Sequence, residues 1–159
     1  MRYLVILSVL FAAACQPVAG SSSNLGADTA VPPLPTLAPA QIRRGETVYE
    51  QQCASCHGFN LEGQPDWKMQ NDDGSFRAPP HDASGHTWHH GDRTLLDAVR
   101  LGGARLQPMN VVSVMPAYGE LLSEEEMTAV LVYIKSTWPK DLQLYQWEAT
   151  LREETQTKE

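Results

Sequence analysis

The sequence has few cysteines, fewer basic than acidic residues and no apolar run long enough to cross a membrane. Two of its three cysteines form one C-x-x-C pair, and no second pair exists. Because a structural zinc site takes four ligands, usually from two such pairs, this count disfavours zinc. Twelve lysine plus arginine residues against 19 acids give a net charge of −7, which argues against nucleic acid or an anionic membrane surface as the main partner.

The N-terminus is typical of a bacterial export signal. One arginine and an apolar run over Tyr3–Phe11 lead to small residues and then Cys15, and this run is shorter than the about 20 residues of a membrane-spanning helix. The pattern predicts a signal peptide over 1–14, with Cys15 acylated as the mature N-terminus and lipid anchor. Cleavage after Ala14 or at Val18–Gly20, releasing a soluble protein, is the alternative. Both routes place the protein outside the cytoplasm, in the bacterial periplasm or cell envelope.

The rest of the chain divides by composition into three parts. Residues 15–38 are rich in Ser, Gly, Ala and Pro without apolar periodicity, which predicts a flexible tether. Residues 39–138 carry the periodic segments of one folded domain. Residues 139–159 form a C-terminal extension with aromatic and leucine residues before a polar end, and we expect it to be partly helical, lying on the domain or on a partner.

The C-x-x-C pair lies in the stretch CASCHG, where Cys53 and Cys56 are followed directly by His57. An exported chain could use such a pair as a disulfide, half of a zinc site or a haem attachment site. A thioredoxin-like redox pair would follow a β-strand, whereas residues 39–52 have helical periodicity. On a helix end, thiols three residues apart can each add to one vinyl group of a haem while the histidine binds iron. C-x-x-C-H therefore predicts one covalently attached haem c.

With this motif, the chain resembles the class I c-type cytochromes, in particular small bacterial monohaem proteins. The resemblance covers roughly residues 39–138 and includes Gly45 and Tyr49 before the motif, an APP segment and an MPAYG segment after it, and a closing amphipathic helix. It implies an all-α cytochrome c fold with three to five helices around one covalently attached haem. In that fold the closing helix crosses the first one, with Gly45 allowing close approach and Tyr49 packing near Tyr133.

The resemblance also implies a second axial ligand for the iron. Met115 in MPAYG stands where the family presents its thioether, and Pro116 keeps that segment from becoming helical. The other candidates are two methionines and four histidines: Met69, Met109, His81, His86, His89 and His90. A His57/Met115 pair predicts a mid-to-high reduction potential, since a thioether favours ferrous iron relative to a second imidazole.

Further residues are assigned to the surroundings of the haem. By the resemblance, the carbonyl of Pro79, or else that of Pro80, accepts a hydrogen bond from His57 Nδ1 and orients the ring. Trp88 is expected near the macrocycle, and Arg100 and Arg105 are candidate partners of the propionates. The four histidines of HDASGHTWHH could bind copper or zinc, although their spacing fits no defined ligand pattern, and capping, haem-edge or solvent positions are the simpler interpretation.

Two more helices are predicted from capping signals. One follows Asp92 as N-cap and ends at Gly102 or Gly103, with three apolar side chains turned inward: Leu95, Leu96 and Val99. The other begins at a capping box of Ser123 and Glu126, carries an apolar stripe and ends before Trp138-Pro139; the stripe consists of Met127, Val130, Leu131 and Ile134.

These observations predict a single-electron carrier, not an enzyme, that works between periplasmic or membrane redox partners. The alternatives are a haem enzyme or sensor with a displaceable sixth ligand, and a dedicated electron-transfer subunit of an oxidoreductase complex. The donor, the acceptor and the oligomeric state have no signature in the sequence.

Overall fold

The computed structural model describes residues 31–156. The predicted signal peptide, Cys15 and the first part of the tether lie outside these residues and stay predictions. Residues 31–38 precede the first helix without regular structure, and Trp147 Nε1 donates a hydrogen bond to Pro32 O at 2.8 Å. The end of the predicted tether therefore contacts the C-terminal helix.

The fold is all-α, as expected. The described residues form five α-helices: α1 Pro39–Gln52, α2 Ala54–His57, α3 Asp92–Leu101, α4 Glu124–Ser136 and α5 Lys140–Gln156. Two 3₁₀ segments, Thr87–His89 and Gly102–Met109, flank α3. Across residues 31–156 the one β-type pairing is an isolated bridge between Gln70 and Phe76, and no helix there combines the length and apolarity of a bilayer span.

Helices α1 and α4 pack directly on each other, and a glycine makes this possible. A Cβ on Gly45 would lie 1.9 Å from the carbonyl oxygen of Ala129, so any larger residue would push the helices apart. Tyr49, fully buried, packs against Tyr133 with ring centroids 5.4 Å apart. The main core surrounds this crossing and contains Val48, Tyr49, Ala54, Leu61, Val130, Ile134 and Trp138. A smaller core joins α3 to α4 through Leu95, Val99, Met127 and Leu131.

The start of α3 corrects one expectation. Asp92 is the first helical residue and Gly91 is the N-cap, without a side-chain cap. The Asp92 carboxylate instead forms tertiary contacts, as an ion pair with Lys135 and a hydrogen bond from Gln146 Nε2. Tertiary partners thus replace the local cap. The other end follows the prediction, since Gly102 is the C-cap with φ 57°.

Helix α4 begins with the predicted capping box. Ser123 Oγ accepts a hydrogen bond from Glu126 N, and the Glu126 carboxylate accepts one from Ser123 N. Each partner satisfies a backbone amide that the first helical turn leaves free. The predicted apolar stripe is buried in this helix.

The described part of the C-terminal extension forms one long helix, α5, that packs on the 3₁₀ segment Thr87–His89 and on α3. Its buried face contains three polar side chains besides Ala149: Gln143, Gln146 and Thr150 are each at most 8 % exposed. Gln146 Nε2 lies 3.1 Å from His90 O and 2.7 Å from Asp92 Oδ1. Hydrogen bonds from buried polar side chains therefore help to join this helix to the domain.

Candidate haem site

The CASCH motif occupies the junction of α1 and α2. Cys53 is the C-cap of α1 and also the N-cap of α2. Cys53 is partly buried, and Cys56 is exposed. Gly58, with φ 82°, turns the chain after His57, and Tyr49 Oη donates a hydrogen bond to its carbonyl at 2.9 Å. The helix that precedes the motif thus also fixes the turn that follows it.

The electrostatics of the Cys53 thiol differ from those of a reactive cysteine. Burial, followed by the neighbouring Cys56, raises the pKa of Cys53 to about 11. Redox-active cysteines have lowered pKa values because the thiolate is the reactive form. The environment of Cys53 therefore opposes the thioredoxin-like interpretation, in agreement with the helical approach to the motif.

The His57 imidazole is buried and held by one hydrogen bond. Its Nδ1 lies 2.8 Å from Pro79 O, and burial lowers the pKa of the ring, which the contact with Pro79 partly offsets. A neutral imidazole that donates from Nδ1 leaves the Nε2 lone pair for a metal. Gly63 allows the proline segment to come this close, since a Cβ on it would lie 2.5 Å from Pro80 N.

The segment that carries Met115 is fastened to the motif through Tyr118. Tyr118 Oη donates a hydrogen bond to Gln52 O at 2.7 Å, at the end of α1. Burial first, and then the nearby Cys53 and Cys56, raise the pKa of this phenol. The segment therefore lies beside the thiol pair.

A second set of contacts holds the same segment against the end of α3. Gly103 N donates to Met115 O at 2.8 Å, and a Cβ on Gly102 would lie 2.4 Å from Pro116 O. Met115 N also lies 3.3 Å from Ser113 Oγ. The Met115 side chain itself is partly buried.

Two buried donors test whether these residues fit a haem. Trp88 Nε1 and Arg105 Nε are inaccessible, and neither has a hydrogen-bond partner in the described part of the chain. Buried N–H groups without a partner are rare and costly, and haem propionates are acceptors of the kind these donors lack. Three residues on either side of Arg105 in the sequence have exposed apolar side chains: Leu101, Val112 and Val114. Such side chains are suited to a porphyrin face. The residues present fit the group.

Of the two candidate propionate partners, Arg100 and Arg105, only Arg105 has a buried N–H group without a hydrogen-bond partner in the described residues. The Arg100 guanidinium is bound to Glu124 at 2.8 Å and to Asp97 at 2.9 Å. Its charge is already compensated by two carboxylates. Arg100 is accordingly a surface ion-pair residue of α3 and α4 in this structure.

The four histidines do not gather into a metal site. No group of three or more His, Cys, Asp or Glu side chains within residues 31–156 has the arrangement of metal ligands. His86 stacks on Trp67 with centroids 5.4 Å apart, and His89 stacks on Trp88 at 3.8 Å. His81 stacks on His57 at 4.1 Å. Three of the four thus lie flat on another ring.

Comparison with known proteins identifies the family of the chain. The family described as Cytochrome c matches residues 42–138, which include the motif, the proline segment and Met115. The chain belongs to the cytochrome c family. Over 96 residues it is 31 % identical to the cbb3-type cytochrome c oxidase subunit CcoP of Azospirillum brasilense. The aligned stretch covers 60 % of this chain and 28 % of that protein. No solved structure matches the chain significantly.

Membership in the cytochrome c family implies covalently attached haem c and a role in electron transfer. The chain spans little more than a quarter of the relative's length. Membership in an oxidase complex is therefore stated of the relative and not of this chain. The family match ends at residue 138 and does not include α5.

Several residues of the site have no sequence signal of their own. Tyr118 is the clearest, because the tyrosine of MPAYG is in the sequence but its acceptor, Gln52 O, lies 66 residues away. The stacking of His81 on His57 also requires the fold. Gly102 was expected as a helix end, and its close approach to Pro116 is an additional role.

Proposed function

We propose that the chain is a monohaem single-electron carrier in which His57 and Met115 are the axial ligands and Cys53 and Cys56 hold the haem. When bound, the haem supplies a ferric/ferrous couple. The protein's part is to hold both ligands in place through each change of charge and to exclude substrates from the iron. C-x-x-C-H occurs once in the sequence, which supports one haem.

The hydrogen bond from Tyr118 to Gln52 is the observation that carries this proposal. It ties the Met115 segment to the end of α1, while Pro79 O orients His57 in the same region. A ligand segment fastened at Tyr118 and at Gly103 resists displacement, and this supports a saturated iron over an open one. A haem enzyme or sensor would need the opposite, a sixth position that substrate can reach.

The partners follow from chemistry and from the relative. A carrier exchanges electrons with other redox proteins, and the CcoP relative is by name a subunit of a cytochrome c oxidase. We propose a terminal oxidase as acceptor, with service as a dedicated subunit as the second candidate function. The sequence of residues 1–15 supports export to the periplasm or cell envelope and an anchor at Cys15.

Absorption spectra of the protein matured in a host with haem-attachment machinery test the function. We expect a low-spin ferric spectrum with the near-infrared band of methionine-ligated iron, and no binding of carbon monoxide by the ferrous form. High-spin iron that binds carbon monoxide readily would favour the enzyme or sensor. Replacing Cys53 and Cys56 together should abolish haem stain on a denaturing gel, whereas replacing Cys15 should leave it.

Mass spectrometry of the mature chain tests the anchor and the haem count together. A lipidated N-terminus at Cys15 plus the mass of one haem is expected. A chain that begins after Ala14 or Gly20 without lipid would refute the anchor and leave electron transfer untouched. Co-purification from native membranes under mild detergent, with and without chemical cross-linking, then distinguishes a diffusing carrier from a fixed subunit.

A further inference from the structure

The ring of His81 lies flat on the ring of His57. The two centroids are 4.1 Å apart and the planes are inclined by 24°, so the rings are closely stacked. A stacked imidazole on a prospective iron ligand is a second constraint on that ligand, in addition to the hydrogen bond to Pro79 O.

The backbone of His81 is fixed at both sides of its Cα. Its N–H donates to Leu61 O at 2.7 Å, and its carbonyl accepts from Trp138 Nε1 at 2.7 Å. Leu61 and Trp138 both belong to the main core. The Cα of His81 is thereby held relative to the α1–α4 crossing.

The ring of His81 is held as well. Its Nδ1 lies 2.8 Å from Thr87 Oγ1, and the same hydroxyl lies 3.4 Å from Pro80 O. Because Thr87 can donate its proton only once, donation to Pro80 leaves its oxygen to accept from the Nδ1–H of His81. The Tyr49 ring also packs against His81 in a T-shaped arrangement, with centroids 6.4 Å apart and planes inclined by 74°.

We infer that His81 is a positioning residue that fixes the plane of the His57 imidazole, and this inference rests on the proposed role of His57 as an iron ligand. A hydrogen bond at Nδ1 restrains where that atom lies, but by itself it permits the ring to swing out of its plane. A ring packed against the face opposes that swing. The orientation of an axial imidazole decides which iron orbital it overlaps, so it affects the ferric electronic structure and the potential.

The test compares variants of the haem-loaded protein. His81→Leu removes the flat ring and the bond to Thr87, while His81→Phe keeps the flat ring and loses only the bond. We expect His81→Leu to change the pattern of paramagnetically shifted haem methyl resonances, the ferric g-values and the reduction potential. We expect His81→Phe to stay nearer to the wild type in all three. His86→Leu is the matched control, since His86 stacks on Trp67 and not on His57, and it should change none of them.

The outcomes separate the inference from the proposed function. Attached haem with wild-type methyl shifts, g-values and potential in His81→Leu would overturn the inference and leave the carrier intact, even if the variant melted at a lower temperature. Absence of haem from the wild type would overturn the proposed function first. Should His81→Leu fail to mature, His81→Asn removes the flat ring while its side-chain amide can still donate to Thr87 Oγ1, and an unchanged methyl pattern there would equally contradict the positioning role.

Discussion

Gly45 and Ala129 are in backbone contact, and this contact sets the distance between α1 and α4. A Cβ at Gly45 would approach the Ala129 carbonyl oxygen to 1.9 Å and the Cβ of Tyr133 to 2.9 Å. Neither the backbone atom nor the Cβ can move aside as the end of a flexible side chain would. The close approach also brings Tyr49, whose hydroxyl fixes the turn after the haem motif, against Tyr133.

Gly45→Ala is therefore expected to separate the two helices and to lower the free energy of unfolding by about 2–3 kcal/mol. Urea denaturation of the haem-loaded protein, followed by far-ultraviolet circular dichroism, measures the loss. Glu46→Ala, an exposed change on the same helix, is the control and should have little effect. A variant as stable as the wild type would mean that the helices do not approach this closely in solution.

Met115→Ala should leave the haem attached and open the iron. Loss of the thioether stabilises the ferric state, so the reduction potential should fall on the order of 0.1 V. Spectroelectrochemical titration measures the potential, and added carbon monoxide detects the open position. Met109→Ala is the control because that methionine is 63 % exposed in a neighbouring segment. Equal potentials for Met115→Ala and the wild type would move the ligand assignment to another residue.

Arg105→Gln tests the buried donor near the proposed propionates. Arg105 Nε is inaccessible and without a partner in the described chain, and burial lowers the pKa of this guanidinium. Removing a positive charge close to the haem favours the ferric form, so the potential should fall by roughly tens of millivolts. Arg43→Gln, an exposed change of the same charge on α1, should leave it unchanged. A potential that does not move would place Arg105 away from the haem.

The sequence was sufficient for the all-α class, for the family and for the features encoded by neighbouring residues. The Ser123/Glu126 capping box and the Gly102 helix end are of that kind, because both partners lie within one turn. Asp92 shows the limit of this reasoning. It has the side chain of an N-cap, but Lys135 and Gln146, more than 40 residues away, take its carboxylate.

The contacts that shape the site could not be predicted from the sequence either, because their partners lie far apart along the chain. Tyr118 meets Gln52 across 66 residues, and Trp138 meets His81 across 57. Apolar periodicity indicates which face of a helix is buried but not which side chain opposes which. The tail was expected to be partly helical because of its aromatic and leucine residues, and the burial of the polar residues Gln143, Gln146 and Thr150 in α5 was not predicted.

Gln146→Ala should destabilise the attachment of α5. Gln146 is 2 % exposed, and its Nε2 lies within 3.1 Å of His90 O, Asp92 Oδ1 and Thr150 Oγ1. Truncation leaves these acceptors buried with fewer donors, at a cost of about 2–3 kcal/mol. Thermal unfolding and hydrogen exchange along α5 measure the loss. Glu154→Ala, exposed on the same helix, is the control, and equal exchange in both variants would contradict the role of Gln146.

The capping box predicts a dependence of stability on pH. Hydrogen bonds from Ser123 N and Ser123 Oγ, with a smaller contribution from Arg44, lower the pKa of Glu126 below its ordinary value of 4.5. A carboxyl group whose pKa is lowered on folding stabilises the folded state above its unfolded pKa, and this stabilisation is lost as pH falls through the folded pKa. Glu126→Gln should therefore be less stable than the wild type at pH 7.

The same comparison at acid pH decides whether the charge of Glu126 is responsible. As pH falls through the ordinary range of a glutamate toward the lowered pKa of Glu126, the carboxyl group takes up its proton and becomes neutral like the glutamine. The difference in urea midpoint between Glu126→Gln and the wild type should therefore shrink. Glu120→Gln is the control, because Glu120 is exposed and precedes α4, and its midpoint should follow the wild type at both pH values. If the difference in urea midpoint between Glu126→Gln and the wild type stayed constant from pH 7 to pH 3, the glutamine would destabilise the start of α4 through its shape or hydrogen bonding. The charge of the Glu126 carboxylate would then contribute no stability.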